Sequence, residues 1–278
     1  MDEKKFLHIY QIEEKVNNYL LNVENVNKTL RSNGKLFQLQ DISFELMCYE
    51  ITSLVGLNGA GKTTLIRLLL SLLDVDSGTI LYGSGLIQAK SKKIGYLPET
   101  FMSSKSDLKI RSFLKFFAEL NAVPLDKIKC SIEDVLEKVG LIEQENQIIS
   151  KLSKGMKTRL GIAQAILGEP KIIILDEPTD GLDPQGRKDI IKLLKHLKNK
   201  GKAILISSHI LSEIESVCDK ILILDEGKLL LNQNLSDLLI SEQEGRDFRT
   251  DSERTSIHQK KMFKSVEELF FATLKKDA

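Results

Sequence analysis

Gly56-Leu57-Asn58-Gly59-Ala60-Gly61-Lys62-Thr63 decides the fold of this chain. Triphosphate oxygens must be met by several converging backbone N–H groups, and glycines let the backbone curl closely enough to supply them. The apolar, β-branched run Ile51 to Val55 leads into the stretch, and Lys62 to Leu73 reads as the helix that follows, with Leu65, Leu68, Leu69 and Leu72 on one stripe. A glycine turn between strand and helix aims the positive end of the helix dipole at the anion. Lys62 is expected to reach the β- and γ-phosphates of a nucleotide and the Thr63 hydroxyl to ligate Mg2+, with Thr64 as a further phosphate contact.

Downstream, Lys171 to Leu175 is an almost continuous apolar run, the pattern of a strand buried on both faces of a parallel sheet. Two acids close it, Asp176 and Glu177, at a place where carboxylates are costly unless they act on something. Asp176 is the candidate to orient Mg2+, directly or through water, and Glu177 to polarise the attacking water as general base.

The rest of the chain alternates strands and helices. Ile42 to Leu46 shows the period-2 pattern, Thr79 to Tyr82 follows the turn Asp76-Ser77-Gly78, and Ala203 to Ile206 and Ile221 to Leu224 are further strands. Asp225-Glu226-Gly227 reads as a hairpin turn. The middle third is helical. Phe113, Phe116, Phe117 and Leu120 recur at i, i+3, i+4, i+7 as a core face, and Ile132, Val135, Leu136 and Val139 supply another. That second helix is expected to start near Ser131 and Asp134, a near capping box, and to end at Gly140. Ile190, Leu193, Leu194 and Leu197 mark a helix ending near Gly201, and Val266, Leu269, Phe270, Phe271 and Leu274 a short docking helix. Residues 1–18 read as an N-terminal extension, and about Ser241 to Gln259 as a charged, solvated linker.

Bulk properties exclude several classes. Lys+Arg is 40 and Asp+Glu 39 in 278 residues, so a net charge of +1 offers no electrostatic case for nucleic-acid binding. Cys48, Cys130 and Cys218 are widely spaced and odd in number, which reads as buried thiols rather than disulfides or a metal site. No stretch approaches the roughly 20 apolar residues that cross a bilayer, and the N-terminus lacks a secretory signal, so the chain reads as cytoplasmic.

One element changes the question. Leu152-Ser153-Lys154-Gly155-Met156 lies between the phosphate loop and the acidic strand. With Gly95-Tyr96-Leu97-Pro98-Glu99, Asp176-Glu177-Pro178, Gly181-Leu182-Asp183-Pro184 and Ser207-Ser208-His209, in that order around it, the chain resembles the ABC ATPases over about residues 20–235. The finer resemblance is to bacterial exporter-type subunits such as lantibiotic-immunity, multidrug and sodium-export ATPases. It implies an α/β P-loop NTPase fold with a mainly parallel central sheet, an antiparallel β subdomain and an inserted helical subdomain at about residues 100–168. The ATPase domain would span 19–235, followed by a linker and terminal helix at 236–278.

The resemblance also implies roles. Ser153 and Gly155 match positions that contact the γ-phosphate of ATP held by a partner's loop; as an N-cap before backbone amides, Ser153 suits an anion independently. Asp183 matches a loop that communicates across a dimer, and His209 a switch histidine near the γ-phosphate. The implied assembly is a homodimer, or a pair with a related ATPase subunit, closing around two ATP–Mg2+ and driving a separately encoded integral membrane permease from the inner face of the membrane.

Four positions depart from the family pattern. Glu99 stands where glutamine is common; it can offer an oxygen to Mg2+ but donates no hydrogen bond and adds negative charge near phosphate. Lys154 and Met156 replace the commonest signature residues, Lys154 adding a positive charge beside the partner's phosphate that offsets Glu99. Leu30 occupies the place expected for an adenine-stacking aromatic, with Phe37 or aliphatic packing as substitutes. A soluble ATPase acting on ribosomes or DNA is a second reading, against which stand the single module and the absence of a heptad run. A regulatory subunit with weakened hydrolysis is a third, kept open by Glu99 and Leu30.

Overall fold

The computed structural model describes residues 19–32, 35–83, 94–101, 107–238 and 263–275. The expected extension at 1–18 and the expected linker at 241–259 lie outside these residues. Nine strands form one sheet in the order β4-β1-β2-β9-β8-β3-β7-β6-β5. They are β1 (Tyr19–Ser32), β2 (Lys35–Met47), β3 (Glu50–Val55), β4 (Ser77–Tyr82), β5 (Ile94–Leu97), β6 (Ile172–Asp176), β7 (Ala203–Ser207), β8 (Lys220–Asp225) and β9 (Lys228–Asn234).

One half is parallel: β8, β3, β7, β6 and β5 pair side by side in the same direction. Its middle strands are apolar almost throughout, with every residue of β6 and β7 buried, as parallel strands covered on both faces must be. The other half is antiparallel, with β2 and β4 flanking β1. The hairpin β8–β9 turns where expected: Glu226 (φ 43°) and Gly227 (φ 82°) are both left-handed, the backbone that matches the twist of the flanking strands. Only glycine fits the second place, because a Cβ there would lie 1.7 Å from the Gln38 carbonyl oxygen.

Seven helices complete the described chain: α1 (Lys62–Leu69), α2 (Ile110–Leu120), α3 (Ile128–Val139), α4 (Lys154–Ile166), α5 (Pro184–Asn199), α6 (Leu211–Val217) and α7 (Val266–Leu274). α2, α3 and α4 share one apolar cluster with Leu175, Ile204 and α5, so the helical region is welded to one face of the parallel sheet. α1 packs on the other face with β1 and β2.

Several local expectations need correction. α1 stops at Leu69 and Leu72 is 62% exposed beyond it. α2 buries Ile110, Phe113, Leu114 and Ala118, while Phe116 and Leu120 face out. The spacing rule fits several overlapping stripes on an apolar-rich helix, and packing chose the one a few residues round. α3 begins at Ile128, before Ser131, because the Pro124 carbonyl takes the N–H groups of Lys127 and Ile128; Ser131 and Asp134 are therefore interior and form no capping box. Gly140 does close α3 in the left-handed conformation. Phe271 is half-exposed on α7. Cys130 is exposed, and Cys48 and Cys218 are partly buried; all three are free, and burial pushes the Cys218 thiol well above the usual range.

Candidate functional site

The site lies beyond the carboxyl ends of the parallel strands, where open α/β sheets place their ligands. Register brings it together. Asp176 at the end of β6 pairs with Ser207 at the end of β7, which also pairs with Leu54 next to the end of β3; Leu97 at the end of β5 pairs with Leu175. Residues more than a hundred positions apart thus emerge on one rim.

Gly56 to Thr63 leaves β3 and turns into α1 as expected. Gly61 sits at φ 110° at the helix start, and a Cβ there would lie 2.6 Å from the Phe37 ring and 2.8 Å from Leu39, so no side chain fits. No side chain caps α1 and no acid occupies its first turn, which leaves its positive end available to an anion. Lys62 Nζ folds over the loop, donating to the carbonyls of Gly56 (2.7 Å) and Leu57 (3.2 Å). The hairpin braces the loop from behind through the Gly227 N–H to the Ala60 carbonyl at 3.0 Å.

A cleft of about 460 Å³ opens in front, lined by Phe37, Asn58, Gly59, Gly61, Lys62, Thr63, Thr64, Glu99, Asp176 and Glu177. The loop and the acids read from sequence therefore share one cavity. Phe37, not Leu30, is the aromatic at its wall; the two residues are cross-strand partners in β1 and β2.

Asp176 is buried, and its Oδ1 accepts the Ser207 hydroxyl. Ser207 works twice, since its Oγ and its carbonyl also receive the Glu177 N–H at 3.1 and 3.2 Å. Glu177 takes φ 54°, a left-handed backbone that costs a non-glycine residue on the order of 1 kcal/mol and concentrates at functional sites. That turn aims its carboxylate at His209, with Nδ1 2.8 Å from Oε2. The Glu177 side chain is 13% exposed and the imidazole 68%, so the pair joins an enclosed carboxylate to an exposed ring. Glu99 adds a third carboxylate to the lining. The phenol of Tyr96 beside it registers this: burial, then the charges of Asp176 and Glu99, raise it above its ordinary value against the opposing pull of Arg67.

Ser153, Gly155 and Asp183 are elsewhere: none lines this cleft among the described residues. Ser153 caps α4, its Oγ accepting the Met156 N–H at 3.2 Å. Asp183 caps α5, its Oδ1 accepting the Gly186 N–H at 2.8 Å. The two segments pack on each other, since a Cβ at Gly155 would lie 2.9 Å from the Gly181 carbonyl oxygen. Lys154, expected as an extra positive charge beside a partner's phosphate, has a mostly exposed side chain that is paired within its own chain. Its Nζ pairs with Asp180 Oδ2 of the same chain at 2.8 Å and its stem lies along Gly181; that hydrogen bond holds the Asp180 carboxyl below its usual range.

Residues 39–180 match the family model described as ABC transporter. The chain is 36% identical to the uncharacterized ABC transporter ATP-binding protein YhcH of Bacillus subtilis, over 84% of this chain and 75% of that protein. The chain belongs to the ABC transporter family. It is also 36% identical to the linearmycin resistance ATP-binding protein LnrL of Bacillus subtilis, over 79% of this chain and 70% of that one. The lantibiotic transport ATP-binding protein SrtF of Streptococcus pyogenes is 34% identical over 77% and 90%. A solved ATP-binding subunit of an ABC transporter superposes with a TM-score of 0.70 at 30% identity, over 78% of this chain and 91% of that one. The protein is thus an ABC transporter ATP-binding subunit and an ATPase, related to exporter and resistance ATPases. No helix among its described residues is long and apolar enough to cross a membrane.

Sequence reading missed the double role of Ser207, which it quoted only inside a motif. Its pairing with Asp176 comes from the register of β6 and β7, which no short stretch of sequence states. It also missed Arg187 and Glu213, which no local pattern marks.

Proposed function

We propose that this ABC ATPase is the hydrolytic subunit of an exporter, acting as a homodimer or beside a related ATPase subunit. Two chains close around two ATP–Mg2+ and drive a separately encoded membrane permease from the cytoplasmic face. One observation carries the reading. The phosphate loop and the acids share one cleft, with His209 hydrogen-bonded to Glu177, whereas Ser153, Gly155 and Asp183 lie outside that lining on two helix starts that pack on each other. Each chain then presents two complementary half-sites, with Lys154, Thr158 and Asp180 lining a neighbouring cavity together with Glu99, Asp176 and Glu177.

In this reading Gly56 to Thr64 wrap the phosphates, Lys62 exchanges its two carbonyl contacts for β- and γ-phosphate oxygens, and Phe37 packs against the base. Glu177 accepts a proton from water, and His209, hydrogen-bonded to it, orients it and faces the γ-phosphate. Ser153 and Gly155 serve the partner's γ-phosphate, and Asp183 meets the partner across the junction. Thr63, Asp176 and Glu99 offer hard oxygen donors in the same cleft, which suits Mg2+. Among the described residues no three of His, Cys, Asp and Glu cluster to hold an ion unaided, so the ion fits as one that arrives with the nucleotide and spreads phosphate charge.

Glu177→Gln tests this. It should retain ATP binding, lower hydrolysis by about 100-fold or more, and accumulate as an ATP-dependent dimer in size-exclusion chromatography with ATP and Mg2+. A variant that stays monomeric there and turns over ATP normally would sink the proposal.

A further inference from the structure

The helix that follows His209 is tied down on two flanks, and the ties lead to different parts of the site. On one flank Glu213 is nearly enclosed, its side chain 13% exposed, and both of its oxygens are engaged. Oε2 accepts the hydroxyl of buried Thr179 at 2.5 Å, and Oε1 accepts Arg187 Nη1 at 3.2 Å. Arg187 Nε in turn donates to the Leu182 carbonyl at 3.2 Å. Thr179 stands two positions after Glu177, and the Leu182 carbonyl is the peptide group that enters Asp183. On the other flank Ile214 is fully buried in a cluster with Val266, Leu269 and Phe270 of α7, and Glu215 Oε2 accepts the Val266 N–H at 3.2 Å. The C-terminal helix therefore sets where α6 rests.

We infer that Glu213 is a positioning residue that locks the Glu177–His209 pair and the Asp183 loop into one geometry, with α6 as the rigid link. The reasoning is steric and electrostatic. α6 begins two residues after His209, so the backbone that presents the imidazole is anchored next to the helix that carries Glu213. An enclosed carboxylate is held by the bonds it accepts, and those from a guanidinium are the strong ones. If α6 shifts, Thr179 and Arg187 are dragged or released, and with them the ends of Glu177 and Asp183. Placement errors of this kind cost turnover rather than nucleotide affinity. The inference rests on the proposed roles of Glu177, His209 and Asp183 and adds a residue outside the lining of the nucleotide cleft.

Glu213→Gln keeps the size and an acceptor for Thr179 but removes the charge that holds Arg187. It should lower kcat about 10-fold while leaving KM for ATP and nucleotide binding by the isolated chain within about twofold. Arg187→Lys, which keeps charge but loses the fork that spans Glu213 and Leu182, should reproduce that split. Combining Glu213→Gln with Arg187→Lys should add little to either. An unchanged kcat in Glu213→Gln overturns the inference. So does a parallel loss of nucleotide binding and thermal stability, which would mark Glu213 as merely structural. Measuring Glu177→Gln alongside separates the two levels: if that variant hydrolyses ATP like the parent, the underlying roles fail whatever Glu213 does, whereas its loss of hydrolysis with an unaffected Glu213→Gln defeats only the inference.

Discussion

Two helices of this protein begin where chemistry needs a cluster of N–H donors, and they begin differently. α1 starts behind Gly61 with no side-chain cap and no acid in its first turn. α4 starts behind Ser153, whose hydroxyl oxygen already accepts the Met156 N–H. The first end has its donors open and a lysine folded across them, a built receptor for several phosphate oxygens. The second has one of its first N–H groups already accepted by the serine, so its donor set is smaller and sits beside the small backbone of Gly155. A strong receptor and a weaker complement are what two half-sites require; two equal receptors would each bind alone.

The comparison breaks hardest at α1. Lys62→Ala should weaken nucleotide binding by the isolated chain at least about tenfold and abolish measurable turnover, because the cation that meets β- and γ-oxygens is gone; a fluorescent-nucleotide titration checks the first and phosphate release the second. At α4 the two effects should part. Ser153→Arg should lower hydrolysis about 100-fold or more by blocking the surface a partner's phosphate approaches, yet leave nucleotide binding by the same isolated chain intact. Binding lost in that isolated chain would place Ser153 in the wrong half-site and erase the contrast.

The smallest effect sharpens the picture of α4 as partly satisfied. Lys154→Met frees Asp180, whose carboxyl Lys154 holds below its ordinary value of 3.8. A depressed carboxylate contributes stability above its unfolded pKa and loses it as pH falls through the folded value. The parent should therefore exceed the variant near neutral pH by no more than about 0.5 kcal/mol, the pair being half-exposed, and the difference should vanish in acid below the ordinary range. Urea denaturation at the two pH values measures it, and a gap that persists in acid would assign Lys154 some other partner.

Much of the fold was legible because it is local. Alternating or continuous apolar runs marked the strands, the glycine loop marked the β3–α1 turn, and Ser153 announced itself as a cap by type. Errors arose where several local solutions competed. α2 carries enough apolar residues for two stripes, and only packing against α3 and α4 exposed Phe116 and Leu120. α3 looked as if it began at Ser131, but the chain had already turned at Pro124. The Lys154–Asp180 pair went unread because Asp180 lies well along the chain and comes beside Lys154 through the packing of Gly155 on Gly181.

By itself the sequence determined that a phosphate-binding loop follows a buried strand, that two acids close another, and that a serine-led helix start lies between them. Each is a statement about a few consecutive residues, enforced by φ/ψ limits, capping and burial. The tertiary structure alone decided what meets what. Register between β6 and β7 puts Ser207 under Asp176 and Glu177, the left-handed turn at Glu177 finds His209, and α6 joins Thr179 to Arg187 through Glu213. Those contacts follow from long-range strand pairing and from which helix face the core accepts, and neither is written in any short stretch of chain.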